Sequence, residues 1–126
     1  MRTRFAFLLL ATIACYPPPS VTITPLGTGQ TYAATPDSVP IALLVSPPEC
    51  RYEAVASITA EGLTFLISDA DITDTLRARA RSVGGHAIMN FSQGTRNVAP
   101  GTGTAEGDYR VRAGTAIRFR DPSCSR

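Results

Sequence analysis

The chain has 126 residues, a length that accommodates one small domain. Its formal charge is +2, and all 12 of its basic residues are arginines. Arg2 and Arg4 lie in the first few residues, and without them ten arginines balance ten acidic residues. Because nucleic-acid binding depends on an excess of positive charge, we predict no nucleic-acid partner.

The first 14 residues have the three parts of an export signal. Two arginines come first, residues 5–13 are apolar, and the small residue Ala14 stands before Cys15. The apolar run is shorter than the about 20 residues that a membrane-spanning helix needs. We therefore predict a signal peptide over 1–14 that is removed, not a permanent transmembrane anchor.

The sequence TIAC, which ends at Cys15, resembles the lipobox at which bacterial lipoprotein signal peptides are cut. In that class of protein the cysteine is acylated on sulfur and becomes the new N-terminus. Thr12 departs from the pattern, which usually has leucine or a similar aliphatic residue there. We predict lipidation of Cys15, and the alternative is ordinary cleavage before it, which would leave a free thiol.

Three cysteines are an odd number for a protein of an oxidising compartment. If Cys15 takes lipid, Cys50 and Cys124 remain, and we predict a disulfide between them. Cys50 precedes one strand-like segment and Cys124 follows another, so a bridge would make those two segments antiparallel neighbours. Metal binding by this pair is the weaker alternative, since neither residue belongs to a Cys-x-x-Cys motif.

Residues 16–36 are rich in proline, threonine and glycine and have no periodicity of useful length. This composition is typical of an extended linker. We therefore predict a lipidated cysteine and tether over 15–37, followed by a folded domain over 38–126.

An amphipathic helix followed by a strand is predicted at the centre of the domain. A helical apolar stripe is formed by Ile72, Leu76, Ala80 and Val83. Asp71 is the predicted N-cap and Gly84 the predicted left-handed residue that ends the helix. From His86 the period becomes two, with one face made of Ala87, Met89 and Phe91.

The remaining strands are predicted around this unit. Residues 39–45 form a short apolar run in which Pro40 indicates a sheet edge. Residues 52–60 alternate, and Glu61-Gly62 predicts a turn after them. Residues 92–107 predict a long, mobile hairpin loop. The predicted class is α+β, with a mainly antiparallel sheet of about four strands and one helix packed on one face.

Residues 109–120 carry the strongest strand pattern, with alternating apolar and basic positions. The basic face contains Arg110, Arg112, Arg118 and Arg120. A solvent-facing side of the sheet explains such a face. These four residues are also the predicted interaction face, which would dock an acidic partner or an anionic polymer.

Three segments carry a resemblance to a known family. YEAVASITAEG, LRARARSVGGHAIMNF and VRAGTAIRF resemble the YbjQ-like domain, a small α/β fold once labelled heavy-metal-binding and similar to the RcsF-like fold of outer-membrane stress-sensor lipoproteins. YAATPDSVPIALL resembles the lead-in strand of lipoproteins with this domain. His86 stands where the family usually has Asn or Asp. The resemblance covers about two-thirds of the chain and implies an envelope lipoprotein with a stress-sensing or metal-related role.

No residue constellation indicates catalysis. His86 is the only histidine, and no nucleophile motif surrounds any serine or aspartate. An acidic metal site could be imagined at Asp69, Asp71 and Asp74, but acids in the first turn of a helix are explained by capping. His86 is a weak metal candidate, since a site normally needs three or four ligands. A solvated or hydrogen-bonded histidine at the start of a strand is the preferred interpretation.

These observations predict a lipid-anchored protein of the bacterial cell envelope, in the outer membrane facing the periplasm. Its domain is predicted to bind an envelope protein, itself included, and to be no enzyme and to need no cofactor. The alternative function is a periplasmic metal-binding protein.

Overall fold

The computed structural model describes residues 18–125, in which one helix covers one face of a five-stranded sheet. The elements in chain order are β1 (Ser20–Pro25), β2 (Ala42–Leu43), β3 (Tyr52–Leu63), α1 (Asp69–Ser82), β4 (Ala87–Val98), β5 (Gly107–Phe119) and a 3-10 turn at Pro122–Ser125. The strand order is β1-β3-β5-β4-β2, antiparallel except for the parallel pair β2–β4. The predicted α+β class is confirmed, with five strands instead of about four. The predicted signal peptide and Cys15 lie outside the described residues.

β1 lies inside the segment that the sequence predicts as a tether. It pairs antiparallel with β3 along its whole length, and Val21 and Ile23 pack against the core. Further along, the buried Thr35 donates its hydroxyl to the Gly85 carbonyl oxygen at 2.7 Å. The prediction of a free tether is therefore wrong for this part of 15–37, because five alternating residues between prolines suffice for an edge strand.

β2 contains two residues of the predicted strand 39–45. It pairs with Ala87 and Ile88 of β4 at the edge of the sheet, as Pro40 indicates. The Leu44 N–H donates to the Ile88 carbonyl oxygen at 2.8 Å, after which the chain leaves the sheet.

α1 begins two residues before the predicted N-cap. Ser68 is the N-cap, and its hydroxyl oxygen accepts a hydrogen bond from the Asp71 backbone N–H at 3.1 Å. The apolar stripe is confirmed, since α1 buries Ile72, Leu76 and Ala80. Gly84 ends the helix in the left-handed region at a φ of 79°.

A bulge in β4 changes which face its side chains occupy. The register with β5 shifts between Met89 and Ser92, and Asn90 has a φ of 53°. Ile88 and Phe91 consequently pack under α1, while Ala87 and Met89 belong to a cluster on the opposite face. The prediction that Phe91 shares a face with Met89 is wrong, because the bulge inserts one extra residue.

Two strands are longer than the sequence indicates. β3 continues through the predicted turn at Glu61-Gly62, pairing with β1 and β5. β4 continues to Val98, so only 99–106 remain of the predicted hairpin loop 92–107. Residues 92–97 of β4 are all exposed, so this part of the strand carries no apolar alternation. Glu61 stays in the sheet because β1 and β5 pair with it on both sides.

The predicted disulfide between Cys50 and Cys124 is present, with a Cα–Cα distance of 6.2 Å. Beside it Tyr52 stands opposite Phe119, so β3 and β5 are the predicted antiparallel neighbours. On the side of the sheet opposite α1, Ile117 is fully buried in a second cluster, and Tyr52 and Phe119 pack against it.

Candidate functional site

The arginine face of β5 lies on the side of the sheet that α1 covers. Ala116, which alternates with these arginines, is fully buried in the core cluster under α1. Between the arginine pairs the strand carries Gly114, where a Cβ atom would stand 2.4 Å from Ile88 Cγ2. The middle of this face is therefore small and closed, and the arginines occupy its two ends.

At one end, Arg110 and Arg112 bind the first residue of α1. Arg112 is 6% exposed and donates to the Asp69 carboxylate and, at 2.9 Å, to the Val111 carbonyl oxygen. Arg110 donates to Asp69 Oδ1 at 3.0 Å and to the Ile67 carbonyl oxygen at 3.1 Å. These bonds hold the start of the helix on the sheet. The prediction of a solvent-facing arginine row is wrong at this end.

At the other end, Arg118 lies among polar and aromatic groups. Its Nη1 donates to the Gly84 carbonyl oxygen at 3.0 Å, and its guanidinium carbon stands 4.8 Å from the centre of the Tyr32 ring. Tyr32 donates its hydroxyl to the carboxylate of Glu53, the residue opposite Arg118 in the β3–β5 register. That hydrogen bond raises the pKa of Tyr32 above its ordinary value.

His86 faces a hydrogen-bond donor at each ring nitrogen. Its Nδ1 accepts from the Phe119 backbone N–H at 3.2 Å, and its Nε2 stands 3.2 Å from Arg118 Nη1. Burial lowers the pKa of His86 below its ordinary value, and the positive charge of Arg118 lowers it further. The neutral imidazole is favoured, and the neighbouring guanidinium repels any second cation.

An open cleft of about 530 Å³ lies over this end of the face, lined by Tyr32, Glu53, His86, Arg118 and the exposed Arg120. It does not include the other end of the row, where Arg110 and Arg112 bind Asp69. The four arginines therefore do not form the single interaction surface that the strand pattern predicts, because α1 lies across the centre of the row.

The three aspartates at the start of α1 each bind a different partner. Asp69 binds the two arginines, Asp71 accepts from the Ser68 hydroxyl at 2.7 Å, and Asp74 pairs with Arg77 at 2.9 Å. Among residues 18–125 no group of three or more His, Cys, Asp or Glu residues could hold a metal ion. No helix within the same residues is both long and apolar enough to cross a membrane.

A second candidate surface is the outer side of β4, beyond the point at which β2 leaves it. After Ile88, none of the strands in the described part of the chain pairs with this side. We call residues 92–98 the open edge. Residues 92–97 are all exposed, and the one charged residue, Arg96, binds Glu61 across the sheet at 2.7 and 3.2 Å.

Three features of these two surfaces were not predicted: Glu53, Tyr32 and the open edge. Glu53 could have been found from the predicted β3–β5 pairing, which puts it near Arg118. Tyr32 lies in a segment without periodicity, and nothing in its neighbourhood indicates a contact with the sheet. The open edge was hidden because SQGTRNV has the composition of a loop.

No family model, curated protein or solved structure matches this chain. The resemblance to the YbjQ-like domain therefore stays a prediction.

Proposed function

We propose that this chain is a lipid-anchored protein of the bacterial cell envelope whose α+β domain binds protein and performs no catalysis. Cys15 would carry the lipid, and the domain would face the periplasm from the outer membrane. The YbjQ-like resemblance belongs to the same proposal, with stress sensing as the role it suggests.

The observation that carries the proposal is the disulfide between Cys50 and Cys124. Disulfides persist in oxidising compartments such as the periplasm and are rare in the cytosol. The bridge thus agrees with an export signal over 1–14. It also accounts for two of the three cysteines and leaves Cys15 available for acylation.

The protein-binding part of the proposal is supported by how the polar side chains are used. The buried and half-buried arginines bind carboxylates and carbonyl oxygens of the domain itself, and His86 contacts Arg118 and the Phe119 backbone. Backbone hydrogen-bonding groups along the open edge, by contrast, face solvent. An unpaired strand edge is a surface that binds extended protein segments.

The metal-binding alternative depends on His86 and on the label of the resembling family. His86 stands beside a guanidinium group, and a cation at Nε2 would approach that positive charge at hydrogen-bonding distance. This position disfavours metal binding by His86.

Metabolic labelling with radioactive palmitate tests the anchoring. We expect the native chain to take up label, Cys15→Ala to lose it, and the matched variant Cys50→Ser to keep it. Label in Cys15→Ala, or none in the native chain, would show that the protein is not lipidated at this residue.

A further inference from the structure

We propose that the open edge of β4 pairs antiparallel with the same edge of a second copy of this chain, around a twofold axis at Gly94. The two sheets would then form one continuous sheet. The inference rests on the proposed function, since it names the partner and the surface for a domain proposed to bind protein.

The first observation is that neither backbone conformation nor close packing within its own chain requires a glycine at position 94. Five glycines have positive φ values between 73° and 84°, and a sixth, Gly107, has a φ of 135°. At the other three, Gly62, Gly85 and Gly114, a Cβ atom would stand within 3.0 Å of a neighbouring atom. Gly94 has neither property, because its φ is ordinary and a Cβ atom there would meet nothing within 4 Å.

A glycine inside a strand weakens the strand and often marks a place where another backbone comes close. No backbone within the described part of the chain approaches Gly94 on its open side. An approach by a second molecule on this side would account for the glycine.

The second observation is that the open edge lacks the features that normally keep strand edges apart. Such features are prolines, unpaired charges and covering segments. β1, the opposite edge of the sheet, follows Pro19 and ends at Pro25. The open edge contains no proline, and its one charged residue, Arg96, is held by Glu61.

A second copy fits this edge because the sequence of the edge is self-complementary. With Gly94 on the axis, Gln93 of each copy faces Thr95 of the other, and Ser92 faces Arg96. No two like charges stand opposite each other, and each Arg96 keeps its own Glu61. At the axis the two glycines place no side chains opposite each other on the face of the joined sheet. Twofold pairing through the same surface is the commonest form of homo-oligomer.

Cysteine cross-linking in the full-length chain, within its own membrane, tests the pairing and its register. At the axis two Gly94→Cys residues face each other within the Cα separation of a disulfide. We expect most of this variant to run at twice the chain mass on a non-reducing gel and to return to single mass with a reductant. Thr22→Cys, exposed on the β1 edge, is the matched control. Its fraction of cross-linked dimer should be as low as that of the unsubstituted chain.

Register is tested by mixing two differently tagged chains. Gln93→Cys and Thr95→Cys should cross-link with each other and only weakly with themselves. Equal cross-linking by Gly94→Cys and Thr22→Cys, or strong self-linking at every position, would overturn the inference. Cross-links from Gly94→Cys to other proteins but not to itself would overturn it as well.

Two further measurements cover a variant that does not fold and separate the pairing from the lipid anchoring. If Gly94→Cys fails to fold, the mass of the purified native chain at rising concentration decides, and a chain that remains monomeric overturns the pairing. Palmitate labelling is scored on the same cells. Retained palmitate label without cross-linking would contradict only the pairing with a second copy. Loss of the label would contradict the lipid anchoring.

Discussion

The arginine row of β5 and the open edge of β4 differ in how their polar groups are used. In the row, Arg110 and Arg112 bind Asp69 at the start of α1, and Arg118 binds the Gly84 carbonyl oxygen beyond its end. Along the open edge the residues are mostly uncharged, and the backbone of one side has no strand beside it among the described residues.

This difference separates residues that hold the fold from residues that are available to a partner. The alternating arginines of β5 have the pattern of an interaction face. In the fold, however, they bind both ends of α1 and attach the helix to the sheet. The open edge, by contrast, is a polar segment whose outer side has none of the described strands beside it. Substitutions in the row should therefore change stability, and substitutions in the open edge should change association.

The largest expected effect is that of Arg112→Ala. This change removes a buried side chain together with its hydrogen bonds to the Asp69 carboxylate and to the Val111 carbonyl oxygen. We expect the free energy of unfolding in urea to fall by about 2–3 kcal/mol. This is less than the usual cost of breaking a buried ion pair, because the Asp69 carboxylate stays in contact with water. Arg120→Ala, an exposed member of the same row, should change the unfolding free energy by less than about 0.5 kcal/mol. Equal losses of stability in the two variants would contradict the different roles given to Arg112 and Arg120.

Two glycine-to-alanine changes compare the closed and open regions directly. Gly114→Ala places a methyl group against Ile88 and should cost about 1–3 kcal/mol through overpacking. Gly94→Ala meets no neighbouring atom within its own chain and should leave the monomer unchanged or stabilise it by about 0.5 kcal/mol. Both changes are measured by urea unfolding at a protein concentration low enough to keep the chain monomeric. A clear loss of stability in Gly94→Ala would mean that Gly94 is packed against other residues of its own chain.

The smallest expected effect is the pH dependence from His86. Its pKa is lowered in the folded protein, so the unfolded chain binds the proton first as the pH falls through about 6.5. The contribution of His86 to stability is thus present above about pH 6.5 and is lost progressively as the pH falls below that value. His86→Asn keeps an acceptor for the Phe119 N–H and removes the titration. We expect the native chain to lose more stability than His86→Asn over this range, and parallel curves would contradict this account.

Sequence reasoning recovered the parts of the fold that have strong local signals. The stripe of Ile72, Leu76 and Ala80, the stop at Gly84, and the Cys50–Cys124 bridge all lie where the pattern predicts. Each depends on a periodicity or on a residue with one dominant role.

The errors came where pairing partners far along the chain decide the structure. β1 alternates over only five residues and the outer half of β4 is polar, so pairing with neighbouring strands decides that both are strands. The bulge at Asn90 reversed the face of Phe91, and the position of α1 decided that the arginines of β5 are covered. Alternation in a single strand assigns residues to two faces but does not say which face the helix covers.

The central claim is that the open edge is where this domain meets a second copy of itself. Light scattering of the full-length chain, purified in detergent and corrected for the detergent mass, tests it most directly. We predict that the native chain and Thr22→Lys approach twice the chain mass as the concentration rises. Gly94→Lys should remain at single mass, because its two lysines would face each other across the axis. A native chain that stays at single mass throughout, or a Gly94→Lys variant that associates as the native chain does, would contradict the account.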